Sequence, residues 1–245
     1  MADYISSAAS NLAKNASEAV QQVHPYLPKD AIILNWAANE WSVPVLLTYF
    51  FGLCAILFVS TYFIAKRVDK TLTSGELTTI MWFVLSGCIH LFLEGYYATF
   101  YATLAAKQTF LGQLWKEYAH GDSRYLSNNS FVLCMETVTA VFWGPGCLAT
   151  AAMIMLRHPL RYPIQMIVSM GQLYGVILYY ATSAFDEAVN GVTYSRPEFL
   201  YYWFYFVIMN AFWTVIPAWL IYQSTVQTAK AVRKVQQMES TKKVL

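Results

Sequence analysis

Five long runs of apolar residues dominate this 245-residue chain and leave few folds open to it. The runs lie at about 42–65, 77–103, 131–156, 162–183 and 199–223. About 20 consecutive apolar residues cross the hydrocarbon core of a bilayer as an α-helix. Only 12% of the residues are charged, whereas a soluble protein of this size needs a more polar surface. The sequence therefore predicts an all-α, polytopic membrane protein built as a five-transmembrane-helix bundle.

The segments outside these runs divide the chain into three parts. Residues 1–41 form a polar tail whose apolar residues recur at spacings of three and four, which is typical of a helix that lies on a membrane surface. Residues 42–223 form the five-helix membrane domain, and residues 224–245 form a basic tail. Within the domain, residues 104–130 are rich in paired charges and aromatic side chains, which indicates a structured segment that covers one end of the bundle.

Two ionisable side chains stand inside the second apolar run. His90 and Glu94 are four positions apart, so on a helix they lie on one face, one turn from each other. Ionisable groups are costly in hydrocarbon unless they face a protein interior or a wet cavity, so an intramembrane pair suggests a functional site. The alternative interpretation is that the two side chains only bond each other and fix helix packing.

A third ionisable group, Glu136 in the third run, favours function over packing alone. Of the 14 Asp and Glu residues, only Glu94 and Glu136 lie well inside predicted spans, and His90 is the only one of four histidines to do so. Such buried groups can hold and exchange protons, as acid–base chemistry requires. Trp213 in the fifth run adds an aromatic face that stabilises a cation in a dry pocket. Together these groups suit a hydrophobic substrate that passes through a carbocation.

Several other kinds of site are not indicated. The sequence has no glycine-rich phosphate loop and no metal-ligand cluster, and its four cysteines stand in hydrophobic runs without a CxxC pair. No cofactor and no metal are therefore expected. A net charge of +2 without a block of Lys or Arg argues against nucleic-acid binding.

Polar residues also follow one face of the fourth run, at helical spacing. They are Gln165, Ser169, Gln172 and Tyr179. Such a stripe usually serves hydrogen bonding between helices, and we favour that interpretation over substrate contact. In the third run, Pro145 predicts a kink, because a proline has no N–H to continue the helix.

Five blocks of sequence follow one another in a recognisable order. They are His90-Leu-Phe-Leu-Glu94-Gly-Tyr, Trp115-Lys-Glu-Tyr-Ala-His-Gly-Asp-Ser-Arg-Tyr125, Met135-Glu-Thr-Val-Thr139 with Trp143-Gly-Pro145, Gly171-Gln-Leu-Tyr-Gly175, and Tyr202-Trp-Phe-Tyr-Phe-Val-Ile-Met-Asn210-Ala-Phe-Trp213. In kind and order these blocks resemble the emopamil-binding protein family, from about His24 to about Tyr222. The family's position after Gly175 is often acidic or polar, whereas this chain has Val176 there, which leaves open any role of that side chain.

The resemblance implies a five-helix membrane fold and a step of sterol synthesis. The family's catalytic member is the sterol Δ8–Δ7 isomerase, an intramolecular isomerase that moves a ring double bond without redox change. The implied reaction protonates the alkene at sterol carbon 9, forms a tertiary cation at carbon 8 and removes a proton from carbon 7. By this resemblance the site residues are His90, Glu94, Glu136, Thr139, Asn210 and Trp213.

The resemblance also implies roles for these side chains. The His90–Glu94 pair is expected to handle one proton transfer. Glu136, hydrogen-bonded by Thr139 or Asn210, is expected to provide a second proton relay or the counter-charge, while the indole stabilises the cation. Which carboxyl donates and which group accepts the proton stays open.

Two other functional classes stay open beside an isomerase. A non-catalytic member of the same superfamily, of the kind of the sigma-two receptor, would bind or transport sterols and amphiphilic amines. A proton-coupled transporter would use the same buried acids but would more often show inverted repeats, and no internal repeat is visible. The expected partners are a Δ8-sterol, lipophilic amine drugs as inhibitors and membrane lipid. The particular sterol and the oligomeric state, a homodimer included, stay open.

The distribution of Lys and Arg predicts how the bundle is oriented. Cytoplasmic segments carry the excess of these residues, and here ten of the 16 lie in the first and third connections and the C-terminal tail. The N-terminus is therefore expected in the lumen and the C-terminus in the cytosol. The final residues Lys242-Lys243-Val244-Leu245 resemble a dilysine signal for the endoplasmic reticulum. Asn15 and Asn128 stand in glycosylation motifs on the expected lumenal side.

Overall fold

Five helices long and apolar enough to cross a membrane make up most of the structure. The computed structural model describes residues 23–244, with side chains up to Thr241. The long helices, called spans 1 to 5, are Val43–Val68, Ser74–Ala106, Ser130–Met155, Arg161–Asn190 and Leu200–Thr241. No strand occurs among the described residues. The prediction of an all-α bundle of five membrane helices is confirmed, and the chain is a multi-pass membrane protein. The surface helix predicted in the N-terminal tail and the motif at Asn15 lie outside the described residues.

Spans 2 to 5 are not uniform α-helices. Their α-helical parts are Ser74–Cys88, Gly95–Phe100, Ser130–Val138, Gly144–Met155, Arg161–Phe185 and Met209–Val244. Wider π-helical turns lie at Ile89–Glu94, Thr139–Trp143, Asp186–Asn190 and Leu200–Ile208, and a 3-10 turn at Tyr101–Ala106. Such π turns are frequent at functional sites. The turn in span 3 directly precedes Gly144-Pro145, where the sequence predicts an interruption because proline cannot continue the hydrogen-bond ladder.

Local sequence explains where several helices begin. Span 1 has Pro44 in its first turn, where the missing N–H is not needed. Span 2 begins with a capping box, because the Thr73 side chain accepts the backbone N–H of Glu76 while the Glu76 carboxylate accepts that of Thr73. At span 3 the Asn129 side chain accepts a backbone N–H of the first turn.

A structured cap covers one end of the bundle. It consists of residues 23–42, 107–129 and 191–199. Its centre is the helix Phe110–Tyr118, called the cap helix. Lys116 of this helix is buried, and its Nζ donates to Ala37 O at 2.8 Å while Tyr26 OH donates to Lys116 O at 2.9 Å. Burial lowers the pKa of the Lys116 ammonium group to about 8. The segment predicted to cover one end of the bundle thus forms a packed layer.

At the opposite end of the bundle, ion pairs join the first connection and the start of span 2 to the third connection and the start of span 4. Arg157 Nε lies 2.8 Å from Asp69 Oδ2, and Arg157 Nη1 and Arg161 Nη1 lie 2.5 and 2.8 Å from Glu76 Oε1. We call Asp69, Glu76, Arg157 and Arg161 the arginine cluster. Hydrogen bonds from Thr71 and then Arg157 lower the pKa of Asp69 to about 2. The two ends of the bundle are therefore closed by different chemistry.

Candidate active site

A large cavity lies beneath the cap and is lined by residues of all five spans. Its volume is about 170 Å³, and part of the space around it is open to the outside. Phe50 and Phe51 of span 1 form part of its wall, and Phe51 is half exposed on the outer surface of the bundle. The cavity therefore reaches the side of the bundle, where a hydrophobic ligand can enter from lipid.

All six site residues predicted from the sequence line this cavity. They are His90, Glu94, Glu136, Thr139, Asn210 and Trp213. Spans 2, 3 and 5 contribute two residues each, so the site forms only when the helices pack. Most of the remaining wall is apolar or aromatic. The structure thus brings the residues together, as a shared site requires.

The predicted contact between the two ionisable residues of span 2 is present. His90 Nδ1 lies 2.9 and 2.8 Å from the two carboxylate oxygens of Glu94. The His90 side chain is 2% exposed and that of Glu94 is 12% exposed. The turn that carries both residues is π-helical and not α-helical as the spacing predicted.

The second ring nitrogen of His90 is held by span 4. Gln172 Nε2 lies 2.9 Å from His90 Nε2 and donates to Cys147 Sγ at 3.4 Å. An amide N–H only donates, so this contact selects the tautomer with an unprotonated Nε2 and an Nδ1–H that donates to Glu94. The polar stripe of span 4 does bond to other helices, as predicted, since Gln165 Nε2 donates to Gln223 Oε1 at 2.9 Å. Gln172, however, also lines the cavity.

Glu136 receives its hydrogen bond from the cap. Tyr125 OH donates to Glu136 Oε1 at 2.6 Å. The prediction that Thr139 or Asn210 would bond this carboxyl is wrong. The Thr139 hydroxyl donates at 2.8 Å to the carbonyl four residues earlier, a bond that threonine forms readily inside a helix. Asn210 Nδ2 donates to Tyr118 OH at 2.9 Å and to the preceding turn of span 5.

The acids of spans 2 and 3 also lie near each other. The side chains of Glu94 and Glu136 line the same cavity, close enough for their charges to interact. Among the described residues that line the cavity, none is lysine or arginine. Two negative charges this close repel strongly away from water. The arrangement is therefore favourable when the two carboxyls hold at least one proton between them.

Trp213 stands beside the imidazole. Its ring centroid lies 6.3 Å from that of His90 and 5.3 Å from that of Trp82. The indole is partly buried at the cavity wall, and its Nε1 has no partner among the described residues. A cation within about 6 Å of such a ring is attracted to its face.

The polar cavity residues that were not predicted as site residues include one acid, the phenol that bonds Glu136 and the amide that contacts His90. These three are Glu117, Tyr125 and Gln172. The first two lie in the cap, where helical periodicity gives no information, and the third was assigned to helix packing. All three stand inside sequence blocks quoted above, which is the one signal that could have located them. Val176 contributes apolar wall and no charge.

Glu117 forms a second polar group at the capped end of the cavity. It is 5% exposed, and its Oε1 accepts a hydrogen bond from Tyr205 OH at 3.1 Å. His120 Nε2 lies 3.9 Å from its other oxygen, and the imidazole stacks between Tyr26 and Tyr201 with centroid distances of 4.7 Å to each. Burial raises the pKa of the Glu117 carboxyl and lowers that of the His120 imidazole to about 4. Burial therefore penalises the charged form of each group.

Comparison with known proteins gives consistent matches. The family described as EXPERA (EXPanded EBP superfamily) matches residues 110–224. The 3-beta-hydroxysteroid-Delta(8),Delta(7)-isomerase of Rattus norvegicus is 39% identical over 203 residues, which cover 82% of this chain and 87% of the relative. A probable enzyme of the same name from Arabidopsis thaliana is 31% identical over 202 residues, covering 80% and 84%. The isomeliandiol synthase of Melia azedarach is 36% identical over 169 residues, covering 68% and 76%.

Proposed function

Because the chain belongs to the EXPERA family (EXPanded EBP superfamily), we propose that it is an isomerase that moves a sterol ring double bond from Δ8 to Δ7. The relatives from rat and Arabidopsis carry the name of this activity. The reaction needs a proton donor, a proton acceptor and a wall that tolerates a cation, all inside an apolar cavity. The chain provides groups suited to each need.

The observation that carries the proposal is the grouping of three titratable side chains inside an apolar cavity. His90 contacts Glu94, and Glu136 lines the same cavity, with no permanently charged cation on the wall among the described residues. Groups of this kind can hold a proton in one state and release it in another. Moving a double bond without redox change requires only such proton transfers.

The proposed reaction uses the two carboxyls in succession. One of them protonates the alkene at sterol carbon 9, which leaves a tertiary cation at carbon 8. Loss of a proton from carbon 7 to the other carboxyl completes the new double bond between carbons 7 and 8. Because Glu94 and Glu136 line the same cavity, the proton can then return to the first carboxyl. His90 Nδ1–H stabilises the ionised Glu94, and Tyr125 OH does the same for Glu136.

Trp213 is proposed to stabilise the cation through its aromatic face. The other polar wall residues act indirectly, since Asn210 holds Tyr118 and Thr139 bonds its own helix. A lipophilic amine places a stable positive charge where the cation would form, so it resembles the transition state and should bind tightly. Amines of this class are therefore proposed as inhibitors.

The direct test of the function is product analysis. The purified chain is incubated with a Δ8-sterol and no added cofactor, and the sterols are separated by gas chromatography and mass spectrometry. We expect a Δ7-sterol of unchanged mass. Tight sterol binding without any conversion would contradict the proposal and would favour a non-catalytic binding or transport protein of the same superfamily.

We further propose that the chain resides in the endoplasmic reticulum membrane with a lumenal N-terminus and a cytosolic C-terminus. The excess of Lys and Arg at the arginine-cluster end and in the C-terminal tail supports this orientation. A tag after Leu245 should be digested by protease added to intact microsomes, and a tag before Met1 should be protected. The reverse pattern would contradict both the charge argument and the reading of Lys242-Lys243 as a retrieval signal.

A further inference from the structure

A third acid lines the cavity but has no part in the proposed proton transfers. Glu117 stands on the cap helix and is 5% exposed. In the described part of the chain no lysine or arginine lies within salt-bridge distance of it, and its nearest basic group is His120 Nε2 at 3.9 Å. A carboxyl held away from water in this way is costly unless its oxygens find donors. Glu117 therefore needs an explanation beyond the acid–base site.

The Glu117 carboxyl has unused capacity to accept hydrogen bonds. Its two oxygens offer about four acceptor positions when the carboxyl is ionised, and the carbonyl oxygen still accepts when it is protonated. Tyr205 OH occupies one of them at 3.1 Å, and His120 approaches the other oxygen only to a distance beyond a hydrogen bond. A ligand with a donor at this end of the cavity would satisfy the carboxyl.

A sterol offers one such donor. It is a rigid ring system with a hydroxyl at one end and an apolar tail at the other. We propose that Glu117 accepts a hydrogen bond from the sterol 3-hydroxyl and determines specificity for hydroxylated sterols. This inference rests on the proposed function, because it takes a sterol as the occupant of the cavity. Two other polar groups of the wall already have partners, since Tyr118 OH accepts from Asn210 and the Thr139 hydroxyl bonds its own helix. Trp213 Nε1, Gln172 Oε1 and Tyr179 OH have no partner among the described residues, but none of them is a carboxyl.

The two polar positions of the cavity are separated by a row of aromatic rings. Tyr125 donates to Glu136, its ring centroid lies 5.7 Å from that of Tyr118, and the Tyr118 centroid lies 6.0 Å from that of Tyr205, which donates to Glu117. A flat sterol ring system can lie along this row. A hydroxyl held at one end then fixes where the ring double bond stands relative to the acids at the other.

The orientation agrees with how a sterol sits in a bilayer. An amphipathic molecule keeps its polar end at the interface and its apolar body in the hydrocarbon. Glu117 lies in the cap, outside the spans, whereas Glu94 and Glu136 lie inside them. A sterol that enters past Phe51 keeps its hydroxyl toward the cap and does not have to turn over.

The first test uses the unmodified protein and sterols that differ only at carbon 3. We expect kcat/KM for a 3-hydroxy Δ8-sterol to exceed that for its 3-deoxy analogue by about 10–100-fold, because the deoxy sterol leaves a buried acceptor without a donor. The 3-methyl ether, which also has no donor, should be no better than the deoxy sterol. Equal kcat/KM for all three substrates overturns the inference. Failure to convert any of them would contradict the proposed function instead.

The second test removes the acceptor. Glu117→Leu should lower kcat/KM for the hydroxy sterol by about the same factor and leave that for the deoxy sterol unchanged, so that the preference disappears. Tyr205→Phe is the matched control, because it breaks the bond between cap helix and span 5 but keeps the carboxyl, and the preference should persist. A Glu117→Leu chain that loses activity equally on both substrates would show that Glu117 only ties the cap to span 5, and the inference would be wrong.

Discussion

The arginine cluster and the proposed acid–base site of the cavity each contain two acids, yet the partners of those acids differ. In the arginine cluster each carboxylate faces a guanidinium, which stays charged at any accessible pH. In the cavity, Glu94 and Glu136 face each other, an imidazole and a phenol. Acids beside arginine stay ionised and serve as ties, whereas acids that share a site with neutral donors can take up and release protons. In this protein, the group that an acid faces therefore decides whether the acid stabilises the fold or transfers protons.

The largest predicted effect comes from removing a cavity acid. Glu136→Gln keeps the shape of the side chain but removes the titratable group, so we expect turnover to fall about 10²–10⁴-fold while sterol binding and the fold persist. Glu94→Gln should act similarly. The rate of isomerisation and the thermal unfolding of each variant are measured side by side.

The matched control is Glu76→Gln in the arginine cluster. It makes the same chemical change to an acid that bonds Arg157 and Arg161. Turnover should be nearly unchanged, and only stability should fall. Two results would contradict this difference between the two regions. One is near-normal turnover by the Glu136 variant, and the other is a loss of turnover by the Glu76 variant as large as that of the cavity variants.

A smaller effect is expected at Trp213, which provides the only other proposed source of cation stabilisation in the cavity. Trp213→Leu keeps apolar volume and deletes the ring quadrupole, at a cost of about 1–2 kcal/mol for a desolvated cation. Turnover and affinity for lipophilic amines should fall together, by about 5–30-fold, while neutral sterol binding changes little. Trp213→Phe should recover part of both. If the leucine variant binds amines as tightly as tryptophan does, the cation rests on the carboxyls alone.

Two glutamines of span 4 allow a second comparison, between one that contacts a cavity residue and one that only joins two helices. Gln172→Leu removes the bond that holds His90 Nε2, so kcat should fall by about fivefold, the equivalent of one neutral hydrogen bond. Gln165→Leu removes a buried bond between spans 4 and 5 at the level of Gln223. It should lower the unfolding temperature and leave kcat unchanged. Equal kcat values for the two variants would show that Gln172 serves packing only.

The smallest effect is expected from the arginine cluster itself. Arg157→Gln removes two ion pairs from a side chain that is 45% exposed, so the free energy of unfolding should fall by at most about 1 kcal/mol. Its contribution should shrink as salt is added, because exposed charges are screened. A larger, salt-independent loss would mean that this end of the bundle depends on more than surface pairing.

The five spans and the contact between His90 and Glu94 could be predicted because they depend on local signals, whereas Thr139 and Asn210 were expected in the site only from the family resemblance. Apolar run length locates a membrane helix, and a spacing of four brought His90 and Glu94 together. The partner of Glu136 could not be predicted. Tyr125 lies in the cap and reaches the carboxyl only through the packing of cap on bundle. The Thr139 hydroxyl instead donates its hydrogen bond to a backbone carbonyl of its own helix, which residue spacing alone does not reveal.

Helix ends were harder to predict than helix positions. Span 5 was expected to end at about 223, whereas the helix continues from Met209 to Val244. Hydropathy marks only the part of a helix that lies in lipid, and a polar continuation with good helix-forming residues gives no signal at the boundary. The π turns at Ile89–Glu94 and Thr139–Trp143 likewise leave no mark in the periodicity. Both turns carry site residues.

The central claim is that protons held by the cavity acids enter the sterol. The most direct measurement is a single turnover in which the chain, equilibrated in D₂O and in excess over a Δ8-sterol, converts all of the substrate. The account predicts a Δ7-sterol with one deuterium at carbon 9, because the added hydrogen comes from a carboxyl that exchanges with solvent before substrate binds. A fully converted product without deuterium at carbon 9 would contradict it, since the hydrogen would then have moved within the sterol.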